Sequence, residues 1–352
     1  MLFVGFAVFF HYPLMSGCPC GLGWDMGLRP PWEVEWVVQV RAEEETDPSL
    51  GCPPEERSLS EYIKYGVVVV DKPPRPTSHE VVAWVKRLLE LDRAGHGGTL
   101  DPNVTGVLPI GLQESTKVVQ ALLESGKEYV CLMRTHREEV ESRVVELLGL
   151  FEGEIYQRPP VRSSVRRRLR TRVIYGIDFH EGDGRNWLFT VACQSGTYIR
   201  KLCHDVGELL GFGAHMHELR RTRSGPYTED DLVSMLDLVE AIDLLKEEED
   251  EGALRRVIRP VESSLSLLPK IWIRDSAVEA VCSGAMLAMP GVLRVESGVS
   301  EGSMVAVMSL KGEGVALMRA QVSWEDMLAS ERGIAAVHVR VLMARGTYPK
   351  MW

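Results

Sequence analysis

Val67, Val68, Val69 and Val70 form a continuous β-branched run, the pattern of a strand buried on both faces. Lys72 and the prolines at 73, 74 and 76 interrupt it. Thr77-Ser78-His79-Glu80 then has the form of a capping box, and Val81, Val82, Val85, Leu88 and Leu89 follow at helical spacing as one apolar stripe. After a glycine-rich loop the apolar run through Val107, Leu108 and Ile110 returns to strand character. The patterning next predicts a short helix over 117–123, a strand over 127–133 and a helix over 138–148. An alternating strand over 187–193 leads through Ser195-Gly196 into a helix over about 197–210. Ile199, Leu202, Cys203, Val206 and Leu210 line one side of that helix, and Arg200 lies in its first turn, off the stripe.

From about residue 268 the character changes to short apolar segments separated by glycines. Residues 272–274, 304–308 and 315–320 read as strands of a small β-barrel, with a short helix over 275–281. The acidic run 247–251 before Pro260 places a domain linker near there. Residues 32–58, rich in acids and prolines, read as an extended segment without its own core. The first fourteen residues hold an apolar run, 2–10, too short to span a bilayer and without a basic leader. Met15 and Met26 are possible later starts, and no function is assigned to residues 1–29.

At 352 residues the chain is long enough for two domains. Seven cysteines, at 18, 20, 52, 131, 193, 203 and 282, form no C-x-x-C pair. That predicts neither a disulfide framework nor a zinc ribbon and fits a reducing, cytoplasmic setting without a membrane span. His215-x-His217 beside Cys203 and His204 has generic spacing, and no metal is expected. The net charge of -10 argues on its face against nucleic acid, but the charge is segregated. Arg162, Arg166, Arg167, Arg168, Arg170 and Arg172 form the densest positive run, with no interleaved acid. Such a run repels itself and calls for an anionic partner more than for a merely solvated face. Residues 217–225 are basic again, with Arg220, Arg221 and Arg223.

The chemistry concentrates in G-H-G-G-T-L-D-P-N-V-T-G-V-L-P-I-G-L, residues 95–112. Its glycines allow unusual backbone angles and the close approach of another chain. Pro102 holds Asp101 out of the helical region. A carboxylate so constrained, ahead of a buried strand, can be aimed and partly desolvated as a covalent nucleophile requires. An Asx-turn capping its own backbone is the alternative reading of Asp101.

This loop resembles the signature of the pseudouridine synthases related to the bacterial tRNA uridine-55 enzyme. With Gly at position 97, G-H-G-G-T-L-D-P is similar to their archaeal and eukaryotic dyskerin branch. The resemblance continues through K-P-P at 72–74, K-E-Y at 127–129, Q-R-P-P at 157–160, G-T-Y-I-R at 196–200 and L-R-R-T-R-S-G at 219–225. Residues 284–292 resemble the Gly-rich part of the PUA domain, and the closing 346–352 resembles the dyskerin-branch C-terminus.

The resemblance implies an α+β protein: a mixed-sheet catalytic domain over 59–262 and a small PUA β-barrel over 263–352, with 30–58 packing on the latter. It implies Asp101 as nucleophile, Arg200 as its cationic partner, and Tyr129 stacked on the target base and helping to remove the C5 proton. Leu219 would floor the pocket, Lys72 and Pro73 would buttress the loop, and His96 would lie near the displaced nucleotide. No cofactor is implied. The implied partners are a box H/ACA guide RNA, substrate rRNA or tRNA, and small core proteins, one of them a kink-turn-binding protein of ribosomal type. Little chain separates Tyr129 from Arg162, which leaves little room for the long substrate-clamping insertion of the stand-alone bacterial enzyme and favours guide dependence. A stand-alone tRNA uridine-55 synthase and a non-catalytic RNA-binding scaffold are the alternatives.

Overall fold

A computed structural model describes residues 29–159 and 168–351. After a first strand, Val38–Val40 (β1), and a short helix, Leu59–Lys64 (α1), the larger body begins with Gly66–Lys72 (β2). Ser78–Leu88 (α2), Ala94–His96 (β3), Thr105–Leu112 (β4), Val119–Glu124 (α3) and Lys127–Thr135 (β5) follow. Next come Glu141–Gly149 (α4), Gly153–Gln157 (β6), Arg170–Gly182 (β7), Asn186–Cys193 (β8), Ile199–Leu210 (α5) and Ala214–Ser224 (β9). Met235–Glu248 (α6), Glu251–Val257 (α7) and Arg259–Pro260 (β10) complete it.

Among the described residues these strands form one sheet in the order β10-β2-β4-β9-β5-β8-β7-β6, with β3 added on β4. The β4–β9 pair is parallel and its neighbours antiparallel, so the sheet is mixed. The remaining strands, Lys270–Ile273 (β11), Leu287–Ala288 (β12), Val292–Glu296 (β13), Met304–Met308 (β14), Gly314–Ala320 (β15) and Ile334–Val341 (β16), wrap a second core. Their ladder runs β1-β13-β11-β14-β15-β16-β12. β1 thus brings the N-terminal segment onto the C-terminal sheet, with Gln39 opposite Val295.

The capping box forms as its spacing predicts: the Thr77 hydroxyl accepts from Glu80 N–H, and Glu80 accepts from Thr77 N–H at 2.7 Å. The valine run is buried on both faces because two different bodies cover it. Val68 and Val70 pack with Val81 and Val85 of α2 and with Leu238 of α6. Val67 and Val69 share a cluster with Leu122, Val261, Leu265 and, from the C-terminal sheet, Ala306, Met308 and Leu317. Full burial of a valine is worth about 1.5–3 kcal/mol, so this strand is the fastening between the halves.

The acidic run 247–251 is not a linker. It spans the end of α6 and the start of α7, where Asp250 caps Gly252 N–H, and β10 still pairs with β2. The chain crosses between the sheets at Val261–Leu265. There Glu262 takes both Arg57 amino groups, at 2.6 and 3.0 Å, and the Gly314 amide at 2.9 Å, joining N-terminal segment, crossing and C-terminal sheet.

Candidate active site

Asp101 stands on the short loop between β3 and β4, and that loop is held from beneath by groups that do not involve its carboxylate. Ser78, buried at the start of α2, accepts from Leu100 N–H at 2.9 Å and donates to the Leu100 carbonyl at 3.2 Å. The buried Lys72 ammonium donates to the carbonyls of Pro73, Pro102 and Val104 at 2.9, 2.8 and 2.9 Å. Lys72 thus makes a three-point bond from the end of β2, to its own neighbour Pro73 and to two carbonyls just after Asp101. Burial pushes the Lys72 ammonium down and Asp101 draws it back up.

Asp101 meets Arg200, one residue into α5, in an ion pair between groups 99 positions apart. Both side chains are about half exposed, 54% and 48%. The desolvation expected of the carboxylate is thus absent in this chain alone, because residues 101–103 face outward. Arg200 is aimed by the helix that carries it. The buried Gln157 at the end of β6 accepts from Tyr198 N–H at 2.8 Å and donates to the Tyr198 carbonyl at 3.1 Å, just before α5. The Q-R-P-P motif was the signal for this clamp, yet a polar residue ending a strand says nothing by itself about a helix start 41 residues on. At the other end of α5, Gly207 lets Ala214 pass closely: a Cβ there would lie 2.0 Å from Ala214 N.

Tyr129 on β5 is partly exposed and packs with Leu219 of β9 against the core beneath α5. Its cross-strand partner is Arg221, while Cys131 pairs with Leu219. Burial raises the Tyr129 phenol, and Arg221 opposes this. His96 is partly buried, edge-on to His79 with ring centroids 4.9 Å apart, and its Nδ1 accepts from Gly98 N–H at 3.4 Å. Burial, followed by His79 and Arg221, holds its pKa down, so the ring is biased to neutrality.

The predicted RNA-binding arginines divide. Arg162, Arg166 and Arg167 lie outside the described residues. Arg168 is exposed, and Arg170 and Arg172 are partly exposed at the start of β7. Arg223 stacks over the Trp32 ring at 5.0 Å. Arg220 is bound to Asp71 at 2.9 Å and to Glu229 at 2.5 Å, so its charge is already answered. Arg221 must be corrected: it is 1% exposed and donates to the carbonyls of Val107 and Gly98, so it is no surface contact for RNA. Adjacent residues of a strand point to opposite faces, and Arg221 drew the inner one.

Lys127 is a further buried cation that the sequence did not single out as such. It is 4% exposed, and its ammonium donates to the carbonyls of Leu122 and Ser125 at 2.7 and 2.8 Å. Burial, then Arg221, lowers it from its ordinary 10.5 to about 7. An unfolded lysine keeps its proton up to about 10.5, so from about 7 upward the unfolded chain binds more protons, and stability rises with pH across that window. Lys127→Met is expected to remove this slope, at most about 1.4 kcal/mol per pH unit, in denaturant unfolding followed as a function of pH.

Among the described residues no grouping of His, Cys, Asp or Glu could hold a metal, and no helix is long and apolar enough to cross a membrane. His136 Nε2 lies 3.2 Å from His215 Nδ1, a hydrogen-bonded pair and not a chelate. The arrangement presents an open carboxylate, a guanidinium in contact with it, and an aromatic ring beside an apolar floor. These are the parts for attacking an electrophilic carbon next to a stacked planar group.

Four family models match the chain in series. They are the DKCLD (NUC011) domain over 35–82, the TruB family pseudouridylate synthase N-terminal domain over 86–199, the tRNA pseudouridylate synthase B C-terminal domain over 200–266, and the PUA domain over 269–342. A probable tRNA pseudouridine synthase B of Methanopyrus kandleri is 55% identical over 93% of this chain and 97% of its own length. The Pyrococcus horikoshii protein of the same name is 52% identical over 92% and 97%. Among solved structures, a chain in a Cbf5-Nop10-Gar1 complex is 50% identical, covering 92% of this chain and 99% of that one, with a TM-score of 0.89. A chain of an H/ACA RNP bound to a substrate RNA containing 2′-deoxyuridine is 48% identical over 92% and 99%, at a TM-score of 0.86.

Proposed function

We propose that this chain, which belongs to the TruB family of pseudouridylate synthases, works as the catalytic subunit of a guide-directed box H/ACA ribonucleoprotein. The reaction breaks the N1–C1′ bond of uridine, turns the base and rejoins it through C5, with the C5 proton lost and N1 gaining one. The observation that carries the site reading is the half-exposed Asp101–Arg200 ion pair, with Tyr129 and Leu219 packed on the core beneath the helix that carries Arg200. Asp101 is the nucleophile, directed to the sugar or acting as base at C2′. Arg200 pairs with it and aims it. Tyr129 stacks on the flipped base, worth about 1–3 kcal/mol against a flip that costs a few, and serves removal of the C5 proton. Leu219 floors the pocket, and His96, biased to neutrality, positions the displaced nucleotide.

Guide dependence draws support from the connection between β5 and β7, where α4 and β6 are the elements among the described residues and the chain is short for a long clamping insertion. The substrate is then rRNA, or tRNA, chosen by guide pairing. The Arg162–Arg172 cluster and the C-terminal PUA domain hold RNA backbone. Small core proteins dock on the catalytic half, and one of ribosomal type binds the guide's kink-turn. The setting is cytoplasmic. The test is pseudouridine formation in a labelled rRNA fragment with and without a matching guide and core proteins, beside bare tRNA. Product that requires the guide is expected. Product on bare tRNA alone would replace this reading with the stand-alone enzyme, and tight RNA binding without product on either would leave a scaffold.

A further inference from the structure

Arg221 stands in the middle of the site without touching its surface. It is held between two strands: its backbone pairs with Gly106 of β4 on one side and with Tyr129 of β5 on the other. The approach to β4 is so close that a Cβ on Gly106, whose φ is +99°, would lie 2.2 Å from the Arg221 carbonyl oxygen. The side chain turns inward. Nε donates to the Val107 carbonyl at 2.7 Å and one terminal amino group to the Gly98 carbonyl at 3.1 Å. The other amino group lies 3.4 Å from where a Gly98 Cβ would stand, and the Tyr129 phenol faces the guanidinium within hydrogen-bonding reach. Among the described residues no carboxylate pairs with it; its hydrogen bonds go to these two carbonyls, and the Tyr129 phenol is its electrostatic neighbour.

Burying an arginine in this way costs stability that a well-packed apolar residue would not. A guanidinium is planar, permanently charged and fixed in the directions of its five donors. One such group bonded to several partners sets their mutual distances. Here the partners are β4, the carbonyl of Gly98 three residues before Asp101, and the ring of Tyr129. Lys127, beside the same Gly98 with its Cε 3.6 Å from that Cβ position, ties the turn before β5 to the same spot.

We infer that Arg221 is a positioning residue of the isomerisation: one rigid guanidinium holds the Gly98 end of the Asp101 loop and the Tyr129 phenol in a single register, so that nucleophile and stacking ring are set together. The inference rests on the roles proposed above for Asp101 and Tyr129. Burial also keeps the guanidinium away from RNA, which separates its effect from that of the surface arginines. A displacement of about 1 Å at a reacting pair costs about 10²-fold in rate.

The experiment compares Arg221→Gln and Arg221→Lys in the full chain with its guide, core proteins and labelled rRNA, beside Asp101→Asn and Tyr129→Phe. Both Arg221 variants are expected to lose about 10²-fold in kcat with KM for RNA unchanged. Adding Arg221→Gln to Tyr129→Phe should cost less than it costs the wild type, because both act on one ring. An ultraviolet titration should show the Tyr129 phenol ionising at higher pH in Arg221→Gln. Unchanged kcat, a raised KM at full kcat, or additive losses would overturn the assignment. If neither variant folds, Arg221 is a core residue only and the assignment falls. An active Asp101→Asn would instead overturn the site reading itself, whatever the Arg221 variants do.

Discussion

Asp101→Asn should abolish pseudouridine formation, by at least about 10⁴-fold in single-turnover rate, while the chain stays folded and binds RNA as before. The size follows from chemistry: an amide cannot form the glycosyl ester or take the C2′ proton, and no second carboxylate pairs with Arg200 among the described residues. The separation from stability follows from structure. The loop is anchored through Leu100, Pro102 and Val104 backbone atoms to Ser78 and Lys72, none of which uses the Asp101 side chain. The ion pair itself is half exposed on both sides, and such pairs are worth only about 0–1 kcal/mol. Thermal unfolding, RNA binding and single-turnover product should therefore part company. Full turnover in the Asn variant would show that another group attacks.

Lys72→Met has the second large effect, and it works the other way round, through the scaffold. Methionine fills much of the same volume but withdraws the donor from three carbonyls at once. An acceptor left buried and unsatisfied costs about 1–3 kcal/mol, so a loss of about 3 kcal/mol or more is expected in the denaturant midpoint. Turnover should fall with it, even in the fraction that stays folded, because Pro102 and Val104 fix the chain immediately after the nucleophile. An unchanged midpoint would mean that water replaces the ammonium and that the loop is held mainly by Ser78. A normal rate in folded protein would mean that the ammonium serves stability alone.

The resemblance named Asp101, Tyr129, Arg200, Leu219 and Lys72 by position; in the structure Arg200 meets Asp101, Lys72 bonds the carbonyl of the next residue, and Tyr129 and Leu219 pack on one core. The bare residues could not do this. A glycine-flanked Asp-Pro reads equally as an Asx-turn, and Arg200 reads as a solvated helix position. Their meeting depends on β4 and β9 lying side by side in parallel, a pairing with no local signal. The bonds that Gln157 and Ser78 make had no local signal for the same reason: each reaches the backbone of a segment 41 or 22 residues away. The acidic run 247–251 misled because negative charge marks exposure and not the end of a domain; helix α6 is exposed along one side and acidic there.

What the sequence determined by itself is what neighbours within a few residues decide. The Thr77 capping box, the apolar stripes of α2 and α5, the alternation of β8 and the strand character of the valine run all follow from short-range geometry and the period of burial. Tertiary structure decided which bodies cover the two faces of that valine strand, and which of two adjacent arginines goes inside. Arg220 and Arg221 have the same side chain and must face opposite ways on β9. One answers Asp71 and Glu229 at the surface, and the other bonds Gly98 and Val107 in the interior. Side-chain chemistry is identical in both, so only the register of β9 between β4 and β5 could assign them.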